Sequence, residues 1–167
     1  MDTMIRPYRS GEEEYVADLH KRLYSEEYNW GPDFIDYAVE IPMRFARKEK
    51  NDREELLVAD HNGQLVGCIM LCGTDDPHVG QLRVFAVEKE YRCQGIGAAL
   101  LETSIEKAIS AGYTKLILWT ADAVTEAIHK YEKLGFKAVE TKENYTWSTV
   151  GEAVTEIKME MDIIACQ

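Results

Sequence analysis

Lys115-Leu116-Ile117-Leu118-Trp119 is apolar at four of its five positions. A strand apolar on both faces belongs in the middle of a sheet that is covered on both sides. The chain must therefore supply helices for two faces, and its periodicity does so. Ile5-Arg6-Pro7-Tyr8 reads as a short first strand broken by Pro7. A helix follows, capped by Ser10 and led by Glu12, Glu13 and Glu14, with the apolar stripe Val16, Leu19, Leu23. A second helix runs from Phe34 to about Lys48, with Pro42 as a kink or break.

Leu56 to Ala59 and Gln64 to Leu71 form a hairpin around Asp60-His61-Asn62-Gly63, because Asn-Gly supplies the positive backbone angles of a tight turn. Gly80 to Val87 is the next strand. Gly95 to Ser110 is a helix with Ile96, Leu100, Leu101, Ile105 and Ile109 inward, stopped at Ala111-Gly112. After the apolar strand, Val124, Ala127, Ile128, Tyr131 and Leu134 mark a last helix closed by Gly135. Strands from about Lys137 to Thr146 and Val154 to Asp162 complete the order β-α-α-β-β-β-α-β-α-β-β, a mixed α/β layer fold. No repeat or linker divides the 167 residues, so residues 1–167 are expected to form one domain.

Charge narrows the function. Nineteen Lys and Arg against 30 Asp and Glu give a net charge of −11. That excludes a sequence-independent nucleic-acid binder and disfavours an anionic membrane surface. No apolar run suits a bilayer span and the first residues lack a signal-peptide core, so a cytoplasmic protein is expected. Cys68, Cys72, Cys93 and Cys166 form no CxxC pair and read as reduced thiols, with Cys68 and Cys72 on one side of a strand in the core. The four histidines are scattered, and no metal is expected.

The chemistry concentrates in Val87-Glu88-Lys89-Glu90-Tyr91-Arg92-Cys93-Gln94-Gly95-Ile96-Gly97, which joins a strand to a helix. Unpaired N–H groups at a helix start receive phosphate, two glycines let it approach, and Arg92 adds a planar cation. It is not a dinucleotide fingerprint, lacking G-x-G-x-x-G. It is not a P-loop, lacking Gly-Lys-Ser/Thr, which disfavours an ATP-dependent enzyme.

Downstream stands Ala127-Ile128-His129-Lys130-Tyr131-Glu132-Lys133-Leu134-Gly135-Phe136. Together the two stretches resemble the GNAT superfamily of acyl-CoA-dependent N-acyltransferases, over nearly the whole chain. The opening Ile5 to Tyr8, Leu19 to Tyr28, Leu118-Trp119-Thr120 and Trp147 to Gly151 are similar to the acetyltransferase half of MarR–GNAT fusion proteins, a resemblance under which a stand-alone version of that half is expected. The resemblance implies a mixed, mostly antiparallel central sheet flanked by helices on both faces. It also implies acetyl-CoA as cosubstrate and a small-molecule or peptide amine as acceptor. Arg92, Cys93, Gln94, Gly95, Ile96 and Gly97 would hold the pyrophosphate, the main chain of Phe85, Ala86 and Val87 the pantetheine arm, and Tyr131 would stand near the sulfur. By analogy a homodimer is one assembly to expect, which the sequence itself does not show.

A phenol with pKa near 10 giving its proton to a thiol near 8.5 is uphill by roughly 1.5 units, about 2 kcal/mol, so Tyr131 is expected to act as a hydrogen-bond donor. Packing is the competing role for Tyr131, which shares a stripe with Val124 and Leu134. The general base is harder to place, since Gln81 stands where some relatives carry glutamate. Candidates are His20, Glu26, Glu27, Asp75, Asp76 and His78, of which His20 has the most suitable ordinary pKa. Trp30, Trp119 and Trp147 are candidates for an acceptor pocket, with core packing their default. The function expected is N-acetyl transfer from acetyl-CoA to a primary amine, cationic if the overall acidity steers it. The alternative is an acyl-CoA-sensing module without turnover.

Overall fold

The computed structural model describes residues 3–49, 51–150 and 152–163. Seven strands form one sheet in the order β1-β2-β3-β4-β5-β7-β6, namely β1 Thr3–Pro7, β2 Glu55–His61, β3 Gln64–Gly73, β4 Val79–Val87, β5 Lys115–Ala121, β6 Lys137–Asn144 and β7 Val154–Asp162. The helices are α1 Glu13–Glu26, α2 Pro32–Arg47, α3 Ile96–Ser110 and α4 Thr125–Leu134. Only β4 and β5 pair in parallel, as a strand-helix-strand crossover through α3 requires. All other pairs are antiparallel.

Alternation along β2 sorts the two faces. Leu57 and Ala59 pack with Leu100, Leu101 and Tyr131 of α3 and α4. Leu56 and Val58 pack with Val16 and Leu19 of α1. The sheet is thus mixed, mostly antiparallel and covered on both sides, as the apolar β5 demanded. The β2–β3 turn places Asn62 and Gly63 at φ 52° and 91°, the pair of positive angles a two-residue hairpin needs.

Four local expectations are corrected. Ser10 does not cap α1, because Glu12 takes the cap position and its carboxylate is drawn to Arg6 of β1 at 2.8 and 2.9 Å. The second helix does not stop at Pro42. It runs unbroken to Arg47 with Pro42 buried, so packing of the ring offsets the lost N–H bond. Only one face of β5 is fully buried: Leu116 and Leu118 are sealed, whereas Ile117 and Trp119 are half-buried, Trp119 in the wall of a cavity. Finally, β6 ends at Asn144, short of Thr146, as a charged, exposed edge strand that discourages pairing with other chains.

Cys68 and Cys72 both pack on the α1 side of β3, and burial pushes both thiols up, Cys72 to about 11. Cys166 lies outside the described residues. Among the described residues no helix is long and apolar enough to cross a membrane.

Candidate active site

Strands β4 and β5 stay together only from Val79–Lys115 to Leu82–Leu118. Beyond that they part, and the cause lies in β4. Cys68 faces Ala86 while Met70 faces Arg83, so β4 carries one residue more than β3 across this step. The extra residue forms a bulge in which Val84 adopts φ 48°, a left-handed conformation costly for a β-branched side chain. The β5-facing edge of Phe85, Ala86 and Val87 therefore has no strand partner. Where an edge has no strand partner, an extended chain bearing amides can pair with main-chain N–H and C=O groups not otherwise taken.

The wedge leads to the glycine loop. After a single 3-10 turn at Lys89–Tyr91 the chain passes Cys93 at φ 62° and Gly95 at φ 83°, and α3 starts at Ile96. These two left-handed residues curl the main chain around the α3 N-terminus, where first-turn N–H groups face out. Gly95 is needed for its angle, since nothing lies within 4 Å of a Cβ there. Gly97 leaves little room: a Cβ would stand 3.0 Å from Lys130 Nζ, the mobile end of a side chain, and 3.3 Å from Phe85 Cζ, whose ring would have to give by a few tenths of an ångström. Cys93 and Gln94 are exposed loop positions and Ile96 is anchored in the core.

Arg92 departs from expectation. Its terminal nitrogens donate to both oxygens of Glu27 at 2.8 and 2.9 Å, and its Nε donates to the Val87 carbonyl at 3.2 Å. The guanidinium ties the loop to the end of α1, so it is a positioning group here. The same pair holds the Glu27 carboxyl below its ordinary value and occupies it, which removes Glu27 as a free base. An ammonium that does reach the first turn of α3, beside Gly97, is that of Lys130, which has no carboxylate partner among the described residues. Sequence reasoning missed Lys130 because only the packing of α4 beside α3 brings it there.

Tyr131 lies between Phe85 and Phe136, ring centroids 6.0 and 5.9 Å away. Its hydroxyl has no hydrogen-bond partner among the described residues, and burial, with a smaller contribution from Tyr24, pushes its pKa well above the ordinary phenol value. It stays protonated and able to donate. Packing and availability for chemistry thus coexist at this residue.

Next to Tyr131 opens a cavity of about 410 Å³ between α1, α2, β4, β5 and α4. Trp30, Trp119 and Trp147 all contribute to its wall. Tyr24 stacks on Trp30 at 5.1 Å and Phe34 meets Trp147 edge-on at 4.7 Å, giving one side an aromatic lining. Its charged members are Arg83, Lys142 and Glu156, two cations and one carboxylate. The cavity therefore lacks the acidic lining that the overall charge suggested for a cationic acceptor.

His20 also lines the cavity, on α1. Its Nδ1–H donates to the Val16 carbonyl at 2.9 Å, which leaves Nε2 as a buried lone pair without a partner. Burial lowers its pKa from 6.5 to about 4. An alkylammonium near 10 would not yield its proton to such a group, so His20 can accept a hydrogen bond but suits a base poorly. Glu26 is exposed and off the cavity wall. Asp75, Asp76 and His78 sit at the opposite end of β4, where Asp76 accepts from the His78 N–H at 2.9 Å to shape the turn. Gln81 lines the cavity as an amide. Among the described residues no group of His, Cys, Asp and Glu could hold a metal ion.

The family model described as the Acetyltransferase (GNAT) family matches residues 14–136. An acetyltransferase of Pectobacterium atrosepticum is 34% identical over 136 residues, 81% of this chain and 89% of that one. An acetyltransferase of the GNAT family from Streptococcus pneumoniae superposes with a TM-score of 0.75 at 24% identity, over 97% of this chain and 100% of the other. A GNAT family acetyltransferase from Elizabethkingia anophelis, solved with acetyl-CoA bound, superposes with a TM-score of 0.68 at 25% identity over 96% and 98% of the two chains.

Proposed function

Since the chain belongs to the acetyltransferase (GNAT) family, we propose that it transfers an acetyl group from acetyl-CoA to a primary amine. The observation that carries this reading is the parted β4–β5 wedge, with the glycine loop at one end and Tyr131 beside the aromatic cavity at the other. The pantetheine arm adds to the free edge of Phe85, Ala86 and Val87. The pyrophosphate rests on the loop from Arg92 to Gly97, through the N–H groups around Gly95, Ile96 and Gly97. Cys93 and Gln94 contribute main chain, and Lys130 contributes charge.

The amine reaches the cavity as the free base. Its lone pair attacks the thioester carbonyl, whose oxygen meets main-chain N–H at the bulge. A C–N bond forms and the C–S bond breaks. The thiolate leaves against the Tyr131 hydroxyl, which stabilises it by hydrogen bonding. The amine's surplus proton passes to solvent, and the thiolate is finally neutralised from solvent. His20 Nε2 accepts a hydrogen bond from the acceptor or from a water beside it.

The poor basicity of His20 and the amide at Gln81 favour one alternative, an acyl-CoA-sensing module. Mixing the protein with acetyl-CoA and a panel of amino acids, polyamines, aminoglycosides and N-terminal peptides, with free thiol and acetylated product followed by mass, separates the two. Thiol release coupled to an acetylated amine supports transfer. Acetyl-CoA binding with no amine acetylated supports the sensor.

A further inference from the structure

We propose, resting on the acetyl-transfer reading above, that the acceptor is a free amino acid with an apolar side chain, and that Arg83 binds its carboxylate. The guanidinium of Arg83 has five N–H donors. The protein engages one of its nitrogens, NH2, which donates to the Tyr37 hydroxyl at 2.8 Å, and the Tyr37 ring centroid lies 5.9 Å from the guanidinium carbon. Among the described residues no carboxylate lies within 4.0 Å of it. The other partly buried arginines differ. Arg6, Arg22 and Arg92 close on carboxylates, at 2.8 Å in each case. Arg53 closes on the Ala111 and Pro77 carbonyls at 3.0 and 2.7 Å. Arg83 instead stands between this cavity and a second cleft beneath α2, whose wall includes Asp36 and Glu40, with most of its donors uncommitted.

A planar cation in that state matches a compact planar anion, since the fork of donors fits a carboxylate in two parallel hydrogen bonds. Its position is apt. Arg83 directly precedes the bulge at Val84, so the anion anchor and the point where the thioester carbonyl is met come from neighbouring residues of one strand. That arrangement suits a small molecule with its amine and carboxylate close together. Lys142 lies 4.8 Å from the Trp119 ring centroid and is offset by Glu156 at 3.9 Å, so the excess positive charge of the cavity wall is that of Arg83. Tyr24, Trp30, Phe34 and Trp147 leave an aromatic wall for an apolar side chain. A peptide N-terminus or a polyamine would leave Arg83 unanswered and bring no carboxylate of its own to that place.

The probes are L-phenylalanine and L-methionine against their primary amides and against phenethylamine, with thiol release giving kcat and KM for wild type, Arg83→Gln and Arg83→Lys. The amide has the more acidic ammonium and so more free base at neutral pH, a bias that works against the proposal. In wild type the acids are expected to exceed their amides roughly 10- to 100-fold in kcat/KM, the range a charge-assisted hydrogen-bond pair provides. Arg83→Gln is expected to abolish that preference through KM, with the amides within about twofold of wild type, and Arg83→Lys to keep part of it. A shift in melting temperature on adding acetyl-CoA confirms that each variant is folded and binds cosubstrate.

Amides matching acids in wild type, or an Arg83→Gln loss shared equally by acid and amide, overturns the inference and leaves acetyl transfer standing. Acetyl-CoA binding with no amine acetylated overturns both.

Discussion

Unfolding wild-type protein and a His20→Leu variant in urea, at a series of pH values from about 7.5 to 5, tests the account of α1 and its cavity face. The imidazole is buried with its pKa lowered from 6.5 to about 4. In the unfolded chain it titrates normally, so between these values the unfolded state binds more protons and stability falls as pH falls. Integrating over one group, the native state is expected to lose about 2 kcal/mol between pH 7.5 and pH 5, with the remainder of roughly 1 kcal/mol lost nearer pH 4. The carboxylates of Glu12, Glu27 and Asp60 are shifted down in the folded state, so their contributions persist above the ordinary carboxylate range and are lost only below it. The window above pH 5 therefore isolates the histidine. For a chain of this size 2 kcal/mol moves the urea midpoint by about 1 M. The leucine variant has no titrating group at that position, and its midpoint should stay flat over the same window. Tryptophan fluorescence reports the transition, because Trp30 and Trp147 pack in the cluster next to His20. Parallel curves for the two proteins would refute the buried, neutral His20 on which the rejection of a general-base role rests.

Three further outcomes follow from the site. Tyr131→Phe keeps the ring that packs on Phe85 and Phe136 and removes only the donor, so turnover should drop roughly 10- to 100-fold with acetyl-CoA affinity within about twofold; unchanged turnover on an accepted amine would remove Tyr131 from the chemistry. Gly95→Ala meets no steric obstacle but must hold φ 83°, which costs about 1 kcal/mol and should lower the melting temperature by roughly 2 to 4 °C while weakening acetyl-CoA; a melting temperature equal to wild type contradicts the left-handed loop. Lys130→Gln should weaken coenzyme A several-fold at low salt and flatten its salt dependence, with little change in stability for so exposed a side chain; an unaltered dissociation constant would show that the ammonium beside Gly97 does not meet phosphate.

Much of this fold can be read directly from the chain. The short apolar runs at Leu56–Ala59, Gln64–Leu71 and Gly80–Val87, the Asn-Gly turn and the stop at Gly135 are local preferences that the tertiary structure obeys, so the element order follows from them. The glycine loop is legible for the same reason, since a helix start that needs φ 83° at Gly95 and leaves little room at Gly97 states its requirements in two residues. Ser10 and Pro42 were misleading because nonlocal contacts outweighed local rules. A carboxylate held by Arg6 from another element displaced the cap, and burial kept α2 intact across a residue that disfavours helix.

What the sequence determined by itself is thus the alternation of elements and the glycine-bearing turn that opens α3, both set by spacing along the backbone. Only the tertiary structure decided the rest, because charges and cavities are shared between elements distant in sequence. Glu27 at the end of α1 takes the guanidinium of Arg92, α4 carries Lys130 to Gly97, and burial turns His20 from the candidate with the most suitable ordinary pKa into a neutral acceptor. The parting of β4 from β5 leaves Arg83 facing a cavity that the net charge of −11 gave no reason to expect cationic. Net charge sums over the whole surface, whereas a ligand meets the few charges that packing gathers around it.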